Sequence, residues 1–577
     1  MRNMSEPRRA KETLSGIHVG TGNSRMSLQH VNAVIMGAGA GGGVVAKELS
    51  TAGLTIVLLE RGKWFTPFDD RKDDLRNQRT CVLGNSFGPD ERSPRVYVDA
   101  AGREQTIDPR HGAYSNNAAC VGGGTLSYGA MAWRFMEDDF RLRTKYGAVA
   151  GSTLEDWPIT YADLEPFYEK AEWEIGVSGD DTNNIFRAPR KRQLPMPPLP
   201  PNREYEILKP AAHRLGLHPF DIPMLRNSVP YNGRGACMRC RWCVGFACEV
   251  DAKCGTQNTA IPKAIATGNC ELRCECIAKE ILTDNRGRAT GVAYFDSAGR
   301  LQQQPADLVI VSCAAIESAR LLLNSKSRLF PTGLGNRYDW VGRNLQGHAY
   351  TGALGLFEQE TYDDLGPGAS IAICDFSHNN PGFVGGGMLA NEFIRLPYQF
   401  ASRRGGEIPR WGAAHKDFMR RFYRRSISVM GPIQEMPVFE SRVEVDPKVK
   451  DAWGIPVARL SGHRHDNDVL GTKFLSSKAE LWLKEAGATT TIPFGAVGRE
   501  GSSGGQHQAG TCRMGNDPKT SVVDKYCRVH DVDNVYVIDG SVHVTNGGFN
   551  PVLTIMAIAY YASANLVKTW RGTHAPS

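Results

Sequence analysis

The segment Gly235-Ala-Cys-Met-Arg-Cys-Arg-Trp-Cys-Val-Gly-Phe-Ala-Cys248 places Cys237, Cys240, Cys243 and Cys248 within a dozen residues, with Cys254 just beyond. Thiolates this dense can all reach one soft metal centre, because two to four intervening residues let the chain loop round it. The spacing Cys-x2-Cys-x2-Cys-x4-Cys is close to iron–sulfur spacing. It suits structural zinc less well, since zinc prefers two separated cysteine pairs. The expectation is an iron–sulfur cluster, 3Fe-4S or 4Fe-4S, on these four cysteines. The competing reading is a loop braced by disulfides or holding free thiols.

A second chemistry lies near the start of the chain. Gly37-Ala-Gly-Ala-Gly-Gly42 fits G-x-G-x-x-G through Gly37, Gly39 and Gly42. Such glycines permit a tight turn and close backbone approach to a pyrophosphate at a helix N-terminus. Glu60 ends the next apolar run, where a carboxylate can accept hydrogen bonds from an adenosine ribose. The pattern predicts a bound dinucleotide and does not separate FAD from NAD. Cys120-Val-Gly-Gly-Gly-Thr125 is a second glycine loop, with Gly123, Gly124 and Thr125 able to lie flat against a planar or anionic ligand. Downstream, His507 precedes a Gly turn, and Asn550 precedes Pro551 at the start of the last helical stretch. An imidazole suits proton removal near neutral pH while hydride leaves the same carbon, and a nearby amide can orient the hydroxyl.

These groups need elements to hold them. Val31-Asn-Ala-Val-Ile-Met36 and Thr55-Ile-Val-Leu-Leu-Glu60 read as buried parallel strands, with a helix over Ala40 to Thr51 between them. That unit opens a doubly wound α/β domain. Residues 61–110 are charged, rich in Pro and Gly, and read as a surface excursion. Trp157 to Glu172 reads as a capped amphipathic helix, and 187–201 as a Pro- and Arg-rich loop. Strands are expected at Ala289–Phe295 and Asp307–Ser312, then a helix over Ala314 to Leu323. Residues 350–495 alternate in short segments and predict an antiparallel sheet with helices. Val535–Asp539 returns to a βα pattern, and Val552 to Val567 reads as an apolar helix.

The chain of 577 residues is long enough for two or more domains. Its 41% hydrophobic and 22% charged content is that of an ordinary globular protein, and the +7 charge forms no basic block, so nucleic-acid binding is not indicated. No run of about 18 apolar residues predicts a membrane span. Residues 1–27 are polar and read as a disordered extension; Arg8-Arg9 is followed by no apolar stretch, so an export signal is not expected.

The ordered set Gly37–Gly42 with Glu60, Val121-Gly-Gly-Gly-Thr125, Val341-Gly-Arg-Asn-Leu345 with His348, His507-Gln-Ala-Gly-Thr511, and Asp539-Gly-Ser541 with Asn550-Pro551 resembles the glucose–methanol–choline (GMC) flavin oxidoreductases from about residue 30 to residue 570. Within them, the cysteine segment and the stretch Lys253 to Pro262 are similar to gluconate 2-dehydrogenase flavoproteins, although Arg241 and Trp242 stand where those are glycine-rich. The resemblance implies an α/β FAD-binding (Rossmann-like) domain and an α+β substrate-binding domain with an antiparallel sheet. It implies FAD and oxidation of a CH–OH group in a sugar, sugar acid or polyol. It casts His507 and Asn550 as the catalytic pair, brings the backbone of Ile277 to the adenine, and puts Asp539, Gly540 and Pro551 near the flavin.

The implied division is 28–155, 251–345 and 499–577 for the FAD-binding domain, with 156–250 and 346–498 for the substrate domain and cysteine loop. Electrons would leave through the cluster to a cytochrome or quinone. The resemblance also implies a small export or assembly subunit and a cytochrome c subunit as partners, and leaves periplasmic and cytoplasmic residence both open. The rival readings are an oxidase that reduces oxygen directly over a structural cysteine loop, and a non-catalytic electron-transfer subunit.

Overall fold

The computed structural model describes residues 29–69, 72, 87–109, 111, 114, 118–402, 408–501, 503 and 506–573. The expected extension over 1–27 lies outside the described residues.

The glycine loop grows out of a parallel sheet. Strand Val31–Met36 pairs in parallel with Ile56–Leu59 on one side and with Leu301–Val311 on the other. Cys270–Arg273 continues the sheet beyond Ile56–Leu59, and Val535–Val537 beyond Leu301–Val311. These strands are apolar runs because the sheet is buried on both faces, as the near-complete burial of Val31–Met36 and Ile56–Leu59 shows. The long strand Leu301–Val311 serves two sheets. Its second half lies in the parallel sheet, while Leu301–Pro305 pairs antiparallel with Ala289–Phe295, which pairs with Ile277–Thr283. Helix Val552–Thr573 packs on helices Ala40–Thr51 and Tyr161–Ala171. It alone among the described helices is long and apolar enough to cross a membrane, an amendment to the sequence expectation. Here Leu553, Met556, Ala557, Ala559 and Tyr560 are buried in the fold, so the helix serves as a core element.

The second layer is a seven-stranded antiparallel sheet in the order Thr490–Phe494, Tyr350–Leu356, Ser426–Pro432, Leu389–Asn391, Ile371–Ile373, Phe220–Met224 and Ser178–Asp180. On Leu389–Asn391 and its neighbour, alternate residues divide between two faces. Leu389 and Val429 join the core with Trp482 and Leu475 of helix Asp466–Glu485, whereas Met388, Ala390 and Met430 face the cavity described below. Helix Tyr161–Ala171 starts as its sequence predicts. Asp163 N donates to Thr160 Oγ1 at 3.2 Å, and Thr160 N donates back to Asp163 Oδ2 at 2.7 Å.

The stretch 61–110 departs from its reading as a surface excursion. Arg95–Val98 and Glu104–Ile107 form a hairpin that extends the pair Arg442–Lys450 and Pro456–Ser461 into a four-stranded sheet. The reason is charge rather than apolar patterning. Arg95 is buried and donates from Nη2 to Glu317 Oε1 at 2.8 Å, tying the hairpin to helix Ala314–Asn324.

Candidate active site

A cavity of about 700 Å³ runs between the two layers. It begins at Gly37, Gly39 and Glu60, passes Gly123, Gly124, Thr125, Ile277, Asp539 and Gly540, and ends at His507, Asn550 and Pro551. Of the residues singled out in the sequence for cofactor or catalysis, Gly42 alone does not line it. A Cβ on Gly42 would sit 1.9 Å from Gly37 O, so this glycine lets helix and turn pack together.

The two glycine loops form one cradle. Gly122 N donates to Ala38 O at 2.8 Å, and a Cβ on Gly123 would lie 3.1 Å from Gly39 Cα. Thr256 joins them, donating from Oγ1 to Gly39 O at 3.1 Å and from N to Thr125 Oγ1 at 3.2 Å. Methyl groups added at Gly39 or Gly124 would meet no protein atom within 4 Å. Both face open space above a helix start, which fits a pyrophosphate. Glu60 is buried, and burial raises its pKa although Ala38 N and Gly62 N each donate to it at 2.9 Å. Each of its oxygens retains a second lone pair. Asp539 is likewise raised by burial and accepts from Ser318 Oγ at 2.6 Å and Ser541 N at 2.8 Å, which holds the turn at Gly540. At this nucleotide end Arg61, Lys279 and Arg320 also line the cavity. Burial works against the charge of Glu317, but Arg320, Arg95 and Arg61 outweigh it and hold this carboxyl well below its usual range.

The other end is built by a short antiparallel pair, Gln346–His348 against Gln506–Ala509, whose register slips between Gln346 and His348. His507 takes φ +65°, an uncommon conformation for a side-chain-bearing residue. Asn546 Nδ2 donates to His507 O at 2.7 Å and fixes that backbone. The two imidazoles meet through their Nδ1 atoms at 2.9 Å. His348 Nε2 lies 2.8 Å from Gly547 O and 3.2 Å from Asn546 O. Burial, then the neighbouring His348, push the His507 pKa well below 6.5, and burial also lowers that of His348. Both rings are neutral at pH 7. His543 is also buried and neutral, with a pKa lowered by burial to about 4, but it does not line the cavity.

Across from His507, Trp133 Nε1 donates to Asn550 Oδ1 at 3.1 Å, and Asn550 Nδ2 donates to the Tyr350 hydroxyl at 2.9 Å. The Tyr350 and His507 ring centroids are 5.8 Å apart. Sequence reasoning does not find Trp133, which sits in no motif. Tyr350 had a usable signal, since it follows His348 by two residues and extended chain repeats its facing at that interval.

The cysteines do not assemble as the spacing predicts. Among the described residues no group of three or more His, Cys, Asp or Glu side chains is placed to hold a metal ion, and none of the described cysteines is in a disulfide. Cys240 is exposed, Cys237 and Cys248 are half-buried, and Cys243 is turned inward, where Arg226 Nη1 donates to its Sγ at 3.2 Å. A hydrogen bond from Cys240, with Arg226 and Lys253 nearby, brings the Cys243 pKa down to about 5 despite burial. Lys253 Nζ donates to Cys243 O at 2.6 Å and Phe246 O at 2.7 Å. Val244, next to Cys243, lines the cavity.

Comparison with known proteins agrees with this architecture. Residues 97–350 and 437–559 match the N- and C-terminal GMC oxidoreductase family models. The chain is 28% identical to the gluconate 2-dehydrogenase flavoprotein of Pantoea cypripedii, over 97% of both chains. It is 30% identical to the 2-methyl-1,2-propanediol dehydrogenase of Mycolicibacterium austroafricanum, over 93% of this chain and 95% of that one. Pyridoxine 4-oxidase from Mesorbium loti superposes with a TM-score of 0.59 at 16% identity, covering 92% of this chain and 98% of that one, a likeness of fold. With both family models matched in order around a cavity that ends at His507 and Asn550, the chain belongs to the GMC oxidoreductases and is an FAD-dependent CH–OH oxidoreductase.

Proposed function

We propose that this protein is a dehydrogenase that oxidises a CH–OH group of a sugar, sugar acid or polyol, with His507 and Asn550 as its catalytic pair. The observation that carries the reading is the meeting of a neutral, half-buried imidazole and an oriented amide at the far end of a cavity that begins in a double glycine cradle. Gly39 and Gly124 leave room that would take the pyrophosphate of FAD, Glu60 would accept from a ribose hydroxyl, and Ile277 would serve the adenine and Gly540 and Pro551 the flavin. Bound FAD supplies the hydride acceptor. His507 takes the hydroxyl proton, Asn550 holds the oxygen, and the apolar wall of Met388, Ala390 and Met430 limits water around the reacting carbon. The substrates for which the two relatives are named, a sugar acid and a small diol, support the substrate class.

Anaerobic bleaching of the bound flavin by a panel of sugars, sugar acids and polyols tests this reading. At least one class should bleach it, with dye reduction far faster than peroxide formation in air. Comparable peroxide production would make the protein an oxidase, and no bleaching by any compound would remove the catalytic assignment.

The electron exit is proposed at the cysteine segment, where Cys237, Cys240, Cys243 and Cys248, which this structure leaves ungathered, would have to close round an iron–sulfur cluster that would supply one-electron transfer to a cytochrome or quinone. Two buried cations favour an anionic occupant there. Arg226 is 1% exposed and Lys253 is 3% exposed, and the charges that most favour ionised Arg226 are those of Cys243, Cys237 and Cys248.

A further inference from the structure

We propose that His348 is a positioning residue that fixes the tautomer of His507, so that the unprotonated nitrogen of His507 is Nε2, the atom available to the substrate hydroxyl. The inference rests on the reading of His507 as the base. It follows from hydrogen-bond bookkeeping in a closed pair. His348 Nε2 faces two carbonyl oxygens, Gly547 O at 2.8 Å and Asn546 O at 3.2 Å. A carbonyl oxygen only accepts, so His348 Nε2 must carry the proton. A neutral imidazole has one N–H, which leaves His348 Nδ1 as an acceptor. The partner 2.9 Å away is His507 Nδ1, and it must therefore donate. With its single proton committed to Nδ1, neutral His507 presents a lone pair at Nε2. The opposite tautomer would put two bare lone pairs against each other in a part-buried contact and leave an N–H, rather than a base, toward the substrate.

The arrangement also serves the charged product of proton transfer. When the hydroxyl proton moves to Nε2, the carbon–oxygen double bond forms as the C–H pair leaves as hydride, and His507 becomes an imidazolium. Its Nδ1–H then donates a charge-assisted bond to His348. Behind His348, Gly347 N donates to Glu435 Oε2 at 3.0 Å, bringing a carboxylate to the same strand. Arg464 and Asp468 also face Glu435, His543 is a further titratable ring near His348, and the Tyr350 ring lies against His507. The backbone carbonyls of Asn546 and Gly547 thus decide, through His348, which nitrogen of His507 does the chemistry.

Selective ¹⁵N-histidine labelling of the FAD-loaded protein reads the tautomer directly, with the His507 signals assigned by their loss in His507→Ala. The expected result is a protonated Nδ1 and an unprotonated Nε2 on His507 at pH 7; the reverse overturns the inference. Flavin reduction provides the second readout. His348→Ala should keep FAD and substrate affinity yet lose on the order of 10²-fold in the limiting rate, within the usual range for a proton-transfer group. His348→Asn restores an acceptor oxygen near the Nδ1 position and should recover most of that loss. Equal slowing in both variants, or a near-parental rate in His348→Ala beside a crippled His507→Ala, sinks the tautomer inference alone. A near-parental His507→Ala sinks it together with the assignment of the base.

Discussion

The indole of Trp133 donates to Asn550 Oδ1 at 3.1 Å, and this one contact settles which way the Asn550 amide faces. An indole N–H can only donate, so the amide oxygen must meet it and the NH2 must point away, toward the Tyr350 hydroxyl. On the proposed assignment, Asn550 would meet the substrate oxygen as a hydrogen-bond donor, through the amide nitrogen that donates to Tyr350 here. Trp133→Phe keeps the aromatic packing on Phe220 and Phe549 but frees the amide to rotate. The expected loss is about 3- to 10-fold in the limiting rate of flavin reduction, the worth of one buried hydrogen bond. Stopped-flow reduction at saturating substrate checks it, and an unchanged rate removes Trp133 from the site.

The pH dependence of that rate follows from burial of His507. Its pKa lies well below 6.5, so the neutral form that accepts a proton persists as pH falls through 6.5. Flavin reduction should stay flat from pH 8 to below pH 6.5 and decline only in more acid solution. A solvated imidazole base would already be half-lost near 6.5. A midpoint at or above 6.5 would show that His507 is solvated or is not the titrating base.

Two glycines of the first loop should fail in different ways. Gly39→Ala adds a methyl group that meets no protein atom within 4 Å, so the apoprotein should fold with a Tm near that of the apo parent. The methyl occupies cofactor space, and FAD should be lost on dialysis. Gly42→Ala instead drives a Cβ to 1.9 Å from Gly37 O and should lower the Tm of the apoprotein itself. FAD content and thermal melting of both variants, each against apo and loaded parent, give the answer. Tight FAD in Gly39→Ala would move the pyrophosphate elsewhere.

These contrasts show what the sequence made legible. The Gly37 loop, Glu60 and the helix over Ala40 to Thr51 were readable because a strand–turn–helix leaves a local pattern of apolar runs and glycines. His507 and Asn550 were readable as motif members, but their surroundings were not. Trp133 reaches Asn550 across more than four hundred positions, a contact set by how the antiparallel sheet lies on the parallel one. The hairpin Arg95–Val98 with Glu104–Ile107 was hidden for a related reason. Its strands carry charges that read as surface until Glu317 and Arg459 supply partners from distant segments. The cysteines are the reverse case: their spacing is loud in sequence, and the fold places Cys240 outward and Cys243 inward.

Metal analysis of the cysteine segment decides between its two readings. Protein purified without oxygen should contain three or four irons and about as many labile sulfides per chain if Cys237, Cys240, Cys243 and Cys248 hold a cluster. Cys243→Ser should then leave substrate reduction of the flavin intact and slow transfer to the natural acceptor. Arg226→Met should weaken retention of the cluster, because it removes a buried cation that charge on Cys243, Cys237 and Cys248 favours. Metal-free protein with unimpaired acceptor reduction in Cys243→Ser would instead leave Arg226 and Lys253 as the counter-ions of a single Cys243 thiolate. In that case Cys243 should react with a small alkylating agent at pH 6, far below the ordinary thiol range, because its pKa stands near 5.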